Sequence, residues 1–209
     1  MTYETAQTKH ASQFTPHIVA IGGTLRAGSS CEKAVKFAVA YAEELGATTE
    51  CFCGADLLLP PYDPGQNSGN PLVDRLLASL READGIIIAS PAYHGSISGI
   101  IKNVLDYTEE MRTDALSYLE GRSVGLIVSA AGMQGIGTTL TTLRSVVHTL
   151  RGWPTPYGVG LLSVGDPLFQ GEQPARPETA QSLKIMTREV VDFAVTRLSV
   201  GNQAVALAV

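Results

Sequence analysis

The chain has 209 residues, of which 44% are hydrophobic and 17% charged, and its 15 Lys+Arg against 20 Asp+Glu give a formal net charge of −5. That length holds one full-sized domain with a single core and leaves no room for a second of comparable size. The acidic balance and the absence of any basic cluster argue against nucleic acid or an anionic membrane surface as a partner, and the longest apolar runs fall far short of the roughly 18 to 20 residues that span a bilayer.

The first thirty positions carry no basic start followed by an apolar stretch, and the three cysteines, Cys31, Cys51 and Cys53, are odd in number and unevenly placed. Both features predict an unexported, cytoplasmic protein without a disulfide framework. Residues 1–16 are polar, aperiodic and closed by a proline, which predicts a loose tail. From His17 the pattern changes to short β-branched apolar runs at 17–21, 48–53, 85–89, 123–128 and 159–164. Three of these are apolar almost throughout, as a strand covered on both faces of a parallel sheet must be.

Helical stretches separate the runs: 30–45, 71–83, 98–107, 138–151 and 177–198. In the first, Ala34, Val35, Ala38, Tyr41, Ala42 and Leu45 form an apolar stripe, and Pro71 opens the second as a first-turn proline. Alternation of strand and helix gives an α/β domain over residues 17–198 with helices on both faces, and 199–209 is left as a C-terminal tail. Two long irregular stretches, 59–70 and 165–176, are rich in Gly and Pro, a composition and length typical of lids, binding loops or subunit contacts.

In an open parallel sheet, ligands lie outside the carboxyl ends of the strands, so the segments that follow the runs carry the chemistry. After the first run comes Gly22-Gly23-Thr24-Leu25-Arg26-Ala27-Gly28-Ser29-Ser30, with tight-turning glycines, hydroxyl donors, a planar cation and the start of a helix. It reads as a phosphate cradle or, more plainly, as a Gly-Ser turn with a capping serine. Ser29 stands where a nucleoside-triphosphate loop carries lysine, and neither Gly-x-Gly-x-x-Gly nor an acidic residue closing the second run is present. A triphosphatase and a dinucleotide-binding domain of the usual kind are thereby disfavoured.

After the third run stands Ser90-Pro91-Ala92-Tyr93-His94-Gly95-Ser96-Ile97-Ser98-Gly99, leading to Lys102, Asn103 and Asp106. After the fourth stands Ser129-Ala130-Ala131-Gly132-Met133-Gln134-Gly135, leading to Leu143 and Arg144. These segments, with the first loop, resemble the NADPH-dependent FMN reductase family; against its phosphate-loop pattern, Thr24 replaces a serine and Cys31 an asparagine. The resemblance spans about residues 18–198 and implies a flavodoxin-like three-layer α/β/α fold with a five-stranded parallel sheet in the order 2-1-3-4-5.

The resemblance further implies FMN as cofactor and NADPH or NADH as hydride donor. It assigns Thr24, Arg26, Ser29, Ser30 and Cys31 to the phosphate, and Pro91, Ala92, Tyr93, His94, Gly95 and Ser96 to the ring and ribityl chain. Ser129, Gly132 and Gly135 would face the ring from the fourth-strand loop. Hydride transfer requires no acid or base side chain, so no catalytic residue is assigned. A homodimer or homotetramer is implied, with contacts at the 97–105 face and the 57–62 loop, and so is a flavin-dependent monooxygenase that receives reduced FMN. Two alternatives remain beside the flavin reductase: a quinone or azo-dye reductase with tightly bound FMN, and a flavodoxin-type electron carrier, against which Arg26 and the modest net charge argue.

Other residues have plainer readings. Lys102 and Asp106 are spaced for an intrahelical ion pair, and Cys51 and Cys53 alternate onto one strand face as small hydrophobes. His10, His17 and His148 lack partners at metal spacing. A histidine in a loop, such as His94, is more often a surface hydrogen-bonding group than a base.

Overall fold

A computed structural model describes residues 14–66 and 69–206. The apolar runs form β1 (His17–Gly22), β2 (Thr48–Phe52), β3 (Gly85–Pro91) and β4 (Ser123–Ala130). The fifth position of the sheet is a broken strand, β5 (Trp153–Pro154) and β6 (Val159–Leu162), both parallel to β4. The order is β2-β1-β3-β4 with β5 and β6 outermost, the expected 2-1-3-4-5 arrangement.

The break in the fifth strand comes from Pro154 and Pro156, which cannot donate to a ladder and are tolerated only at a sheet edge. Arg144 spans the gap, its guanidinium donating to the carbonyls of Thr155 (3.1 Å) and Pro156 (3.0 Å). A two-stranded hairpin, β7 (Phe169–Gln170) with β8 (Gln173–Pro174), occupies the stretch expected to be irregular.

Five helices cover the sheet: α1 (Ser30–Glu44), α2 (Pro71–Glu82), α3 (Gly99–Asp106), α4 (Met133–Thr149) and α5 (Pro177–Ala206). Side chains alternating along the strands divide the core between two faces. Val19, Ile21, Ile86, Ile88, Leu126 and Val128 meet α2, α3 and α4, while Ile18, Ala20, Ile87, Ala89 and Ile127 meet α1 and α5. On the second face α5 rides close to the sheet over Gly125, where a Cβ would come within 2.1 Å of Met186 Sδ.

The described residues reach into both of the expected tails. Residues 1–13 of the predicted N-terminal tail lie outside the described residues, but the Pro16 carbonyl already accepts the Thr48 amide (3.0 Å), so the chain is tied down before β1 begins. The predicted C-terminal tail 199–209 is helical as far as Ala206. Gly201 costs a helix about 1 kcal/mol relative to Ala, and α5 runs through it. Residues 207–209 lie outside the described residues.

Candidate functional site

The sheet reverses its winding between β1 and β3, which opens a crevice at the carboxyl ends of these strands. The loop after β1 is pressed against β3: a Cβ at Gly23 would stand 2.2 Å from the Ala89 carbonyl oxygen, so only glycine fits. Gly28, at φ +69, turns the chain into α1. Ser29 is the N-cap, its Oγ accepting the Glu32 amide at 3.2 Å and the Thr24 hydroxyl at 2.9 Å. Glu32 answers by accepting at 2.8 Å the amide of Gly28, the residue before the cap. Its hydrogen bond from Lys36 holds the Glu32 carboxyl below its ordinary pKa.

This capping occupies one end-of-helix donor and leaves others. The amides of Ser30 and Cys31, at the first two positions of α1, lie beyond the reach of the intrahelical ladder and are orphan donors at the positive helix end, where both residues line the crevice. Arg26 is exposed beside them and makes no ion pair among the described residues. A buried serine network fixes this loop to the next. Ser98, which caps α3, donates its hydroxyl to the Gly23 carbonyl at 3.1 Å, and its amide donates to Ser90 Oγ at 3.0 Å. The Ala92 amide donates to the Ser129 carbonyl at 2.9 Å, which joins the β3 and β4 loops.

The structure gathers these parts around one cavity of about 420 Å³. Thr24, Arg26, Ser29, Ser30 and Cys31 form its polar end, and Pro91, Ala92, Tyr93 and Ser129, all expected from the sequence, line the remainder. Ala130, Ala131 and Ser163 also line it and were not anticipated. Ser163 fell inside the predicted fifth strand, whereas β6 stops at Leu162 and the Ser163 amide folds back onto the Ala130 carbonyl at 2.7 Å. Ser90 and Ser98 lay within the legible motif, but only burial marks them as the brace between two loops.

Cys31 lines the cavity with little exposed surface. Burial pushes its thiol up to about 12, so the neutral sulfur is a wall and the Cys31 backbone amide is the polar donor there.

Five expected residues do not line the cavity: His94, Gly95, Ser96, Gly132 and Gly135. Tyr93 through Ser96 form a tight turn closed by the Ser96 amide on the Tyr93 carbonyl (3.1 Å), with φ +53 at His94 and +80 at Gly95. Positive φ at both central residues is the type I′ geometry, and it carries His94 outward to solvent. The glycine-rich stretch after β4 is a helix start and not a loop. Gly132 is the N-cap of α4, Gly135 lies in its first turn, and a Cβ there would meet the Cβ atoms of Ala130 (3.5 Å) and Ala92 (3.7 Å) behind the wall.

The two segments expected at subunit contacts are tied to each other within the chain. Asn103 accepts the Tyr62 amide (2.8 Å) and donates to the Pro60 carbonyl (2.9 Å), while Lys102 pairs with Asp106 at 2.6 Å.

One end of the cavity thus presents a guanidinium, hydroxyls and helix-start amides, and the other presents Pro, Ala and Tyr. That donor set fits a phosphomonoester joined to a flat apolar ring, a combination typical of flavodoxin-like nucleotide-binding proteins. The comparisons agree with this geometry. Residues 16–165 match the family model described as NADPH-dependent FMN reductase, and the chain belongs to that family.

It is 28% identical over 144 residues to a Staphylococcus haemolyticus protein named FMN-dependent NADPH-azoreductase, covering 65% of this chain and 71% of that one. It is 29% identical over 139 residues to the NADPH-dependent FMN reductase ArsH of Shigella flexneri, covering 66% of this chain but only 53% of its relative. Among solved structures, the flavoenzyme NAD(P)H:(acceptor) oxidoreductase FerB of Paracoccus denitrificans superposes with a TM-score of 0.72 at 19% identity, over 88% of this chain and 99% of that one. Among the described residues, no helix is long and apolar enough to cross a membrane.

Proposed function

We propose that the protein is an NAD(P)H-dependent FMN reductase. The observation that carries this reading is the convergence, in one cavity, of unpaired Arg26 and the α1 amides with an apolar wall built from Pro91, Ala92 and Tyr93. Arg26, Thr24, Ser29 and the amides of Ser30 and Cys31 would hold the FMN phosphate, with charge-assisted hydrogen bonds as the main source of affinity. Pro91 and Ala92 would set the edge of the ring, held in place by the Ala92–Ser129 bond. Bound flavin supplies the hard chemistry, acceptance at N5 of the hydride from nicotinamide C4. No titratable side chain is needed for that step, and the outward-facing His94 performs none.

A visible spectrum of the purified protein, with NADPH and NADH oxidation measured with and without added FMN, tests the proposal. Flavin-dependent oxidation of either nucleotide is the expected result, and absence of both flavin binding and oxidation overturns it. A colourless preparation that requires added FMN assigns flavin as a substrate, able to pass to a monooxygenase. Tyr93 is 60% exposed and Met133 68%, beside the cavity and at the start of α4. These apolar surfaces favour a second reading, in which FMN stays bound and an azo dye or quinone stacks over it. A yellow preparation active with such acceptors selects that reading. They are also the surfaces a homodimer or homotetramer would cover, which sedimentation of the holoprotein measures.

A further inference from the structure

Behind the anion loop lies a pair of nucleophiles that hydride transfer does not use. Cys51 on β2 and Cys53 just beyond it project to the same side, with their sulfurs 3.4 Å apart. Both are half-buried and neither is in a disulfide, whereas Cys31 is buried. Cys53 also touches the root of the anion loop: a Cβ on Gly22 would stand only 2.6 Å from its sulfur. We propose that Cys51 and Cys53 are a peroxide-sensitive dithiol, and that closing it into a disulfide loosens the anion loop at Gly22.

The two sulfurs are not equivalent. The hydrogen bond from Cys53 lowers the Cys51 thiol below its ordinary value, and the same bond together with burial raises Cys53. Cys51 is therefore the attacking sulfur and Cys53 the resolving one. With hydrogen peroxide as oxidant, the Cys51 thiolate attacks the O–O bond and takes one oxygen as a sulfenic acid, while the other takes up a proton and leaves as water. The Cys53 sulfur then attacks the Cys51 sulfur, and its proton leaves with the displaced hydroxide as a second water. Two thiols and one peroxide give one disulfide and two waters. Same-face neighbours on a strand stand roughly 6.6 Å apart at Cα, the long end of what a disulfide bridges, which makes the bond easily reduced again.

To form the bond, the Cys53 sulfur moves towards Cys51 and gives up its close packing against Gly22, where β1 passes into the loop. The effect on affinity rests on the FMN reading above; the disulfide itself does not. The full chain is treated with hydrogen peroxide, desalted, and examined by intact mass, peptide mapping and thiol titration under denaturation. The expected result is a chain two hydrogens lighter, an internal link between Cys51 and Cys53, and thiols falling from three to one.

FMN affinity, read by flavin fluorescence, should weaken about 5-fold on oxidation and return with dithiothreitol. Cys53→Ser and Cys51→Ser should each form no internal link and show no peroxide-dependent loss of affinity. Three surviving thiols, or a link through Cys31 or between two chains, overturns the dithiol. A disulfide that leaves FMN affinity unchanged overturns its coupling to the loop. If neither form binds FMN, the functional reading fails, and the mass alone decides the dithiol.

Discussion

Two arginines at opposite ends of the sheet do opposite work with the same side chain. At the amino end, Arg122 is 4% exposed and spends its donors on carbonyls: Ala83 and Arg81 at 2.9 Å, Tyr118 at 3.2 Å and Glu120 at 3.3 Å. Two of these lie at the end of α2, whose last carbonyls have no intrahelical donor, so the guanidinium closes that helix. Burial lowers the pKa of Arg122, and the nearby carboxylates of Asp84 and Asp114 act in the opposite direction. At the carboxyl end, Arg26 is exposed and makes no ion pair among the described residues. A guanidinium consumed by backbone holds a fold together, and one left with open donors waits for a ligand.

The largest effect expected is on the structural side. Arg122→Ala leaves several carbonyls without their donor and should cost about 3 kcal/mol in urea unfolding, with FMN affinity of the folded protein unchanged. Arg26→Ala should do the reverse, weakening FMN binding on the order of 10-fold to 100-fold while the urea midpoint stays put. Equal losses of stability from the two would erase the contrast.

Ser29→Ala sits between them, because the same hydroxyl caps α1 and lines the cavity. It should cost about 1 kcal/mol of stability and weaken FMN as well. Glu32, whose amide that hydroxyl accepts, adds a pH signature. The folded pKa of Glu32 is depressed, so its contribution is present above the ordinary carboxylate range and lost as pH falls through the lowered value. Glu32→Gln should flatten that acid limb in thermal unfolding scans. The smallest effect belongs to the tip of the β3 loop. His94→Asn suits a type I′ turn better and should shift stability by no more than about 0.5 kcal/mol, upward, with the pH profile of NADPH oxidation unmoved.

Much of this fold was legible because its strands are near-continuous apolar runs, and such runs in a βα alternation permit few other arrangements. The polar end of the site was legible for a related reason: glycines, hydroxyls and an arginine in one short loop between a strand and a helix have few uses. What failed to read out were places where packing outvotes local preference. Gly132, Gly135 and Gly137 look like a loop, yet α4 begins at Met133 because Ile136 is buried against Gly160 of β6, where a Cβ would stand 2.6 Å from Ile136 Cγ2. The fifth run was expected only from 159, yet Trp153–Pro154 also pairs with β4, ahead of Pro156. His94 was carried to the site by its motif, but a motif records neighbours in sequence and does not record which way a turn points.

The broken fifth strand has a consequence beyond the site. An open sheet offers its outer strands as templates for other chains, and fibrillar assembly begins at such borders. Here one border is interrupted by prolines and by Arg144 occupying its free carbonyls. The other, β2, is only 5 residues long and carries Glu50 clasped by Arg75 at 2.8 Å. Neither border presents a long, flat, uncharged row of hydrogen-bonding groups, so the protein should remain dispersed at concentrations where a sheet with plainer margins would stack.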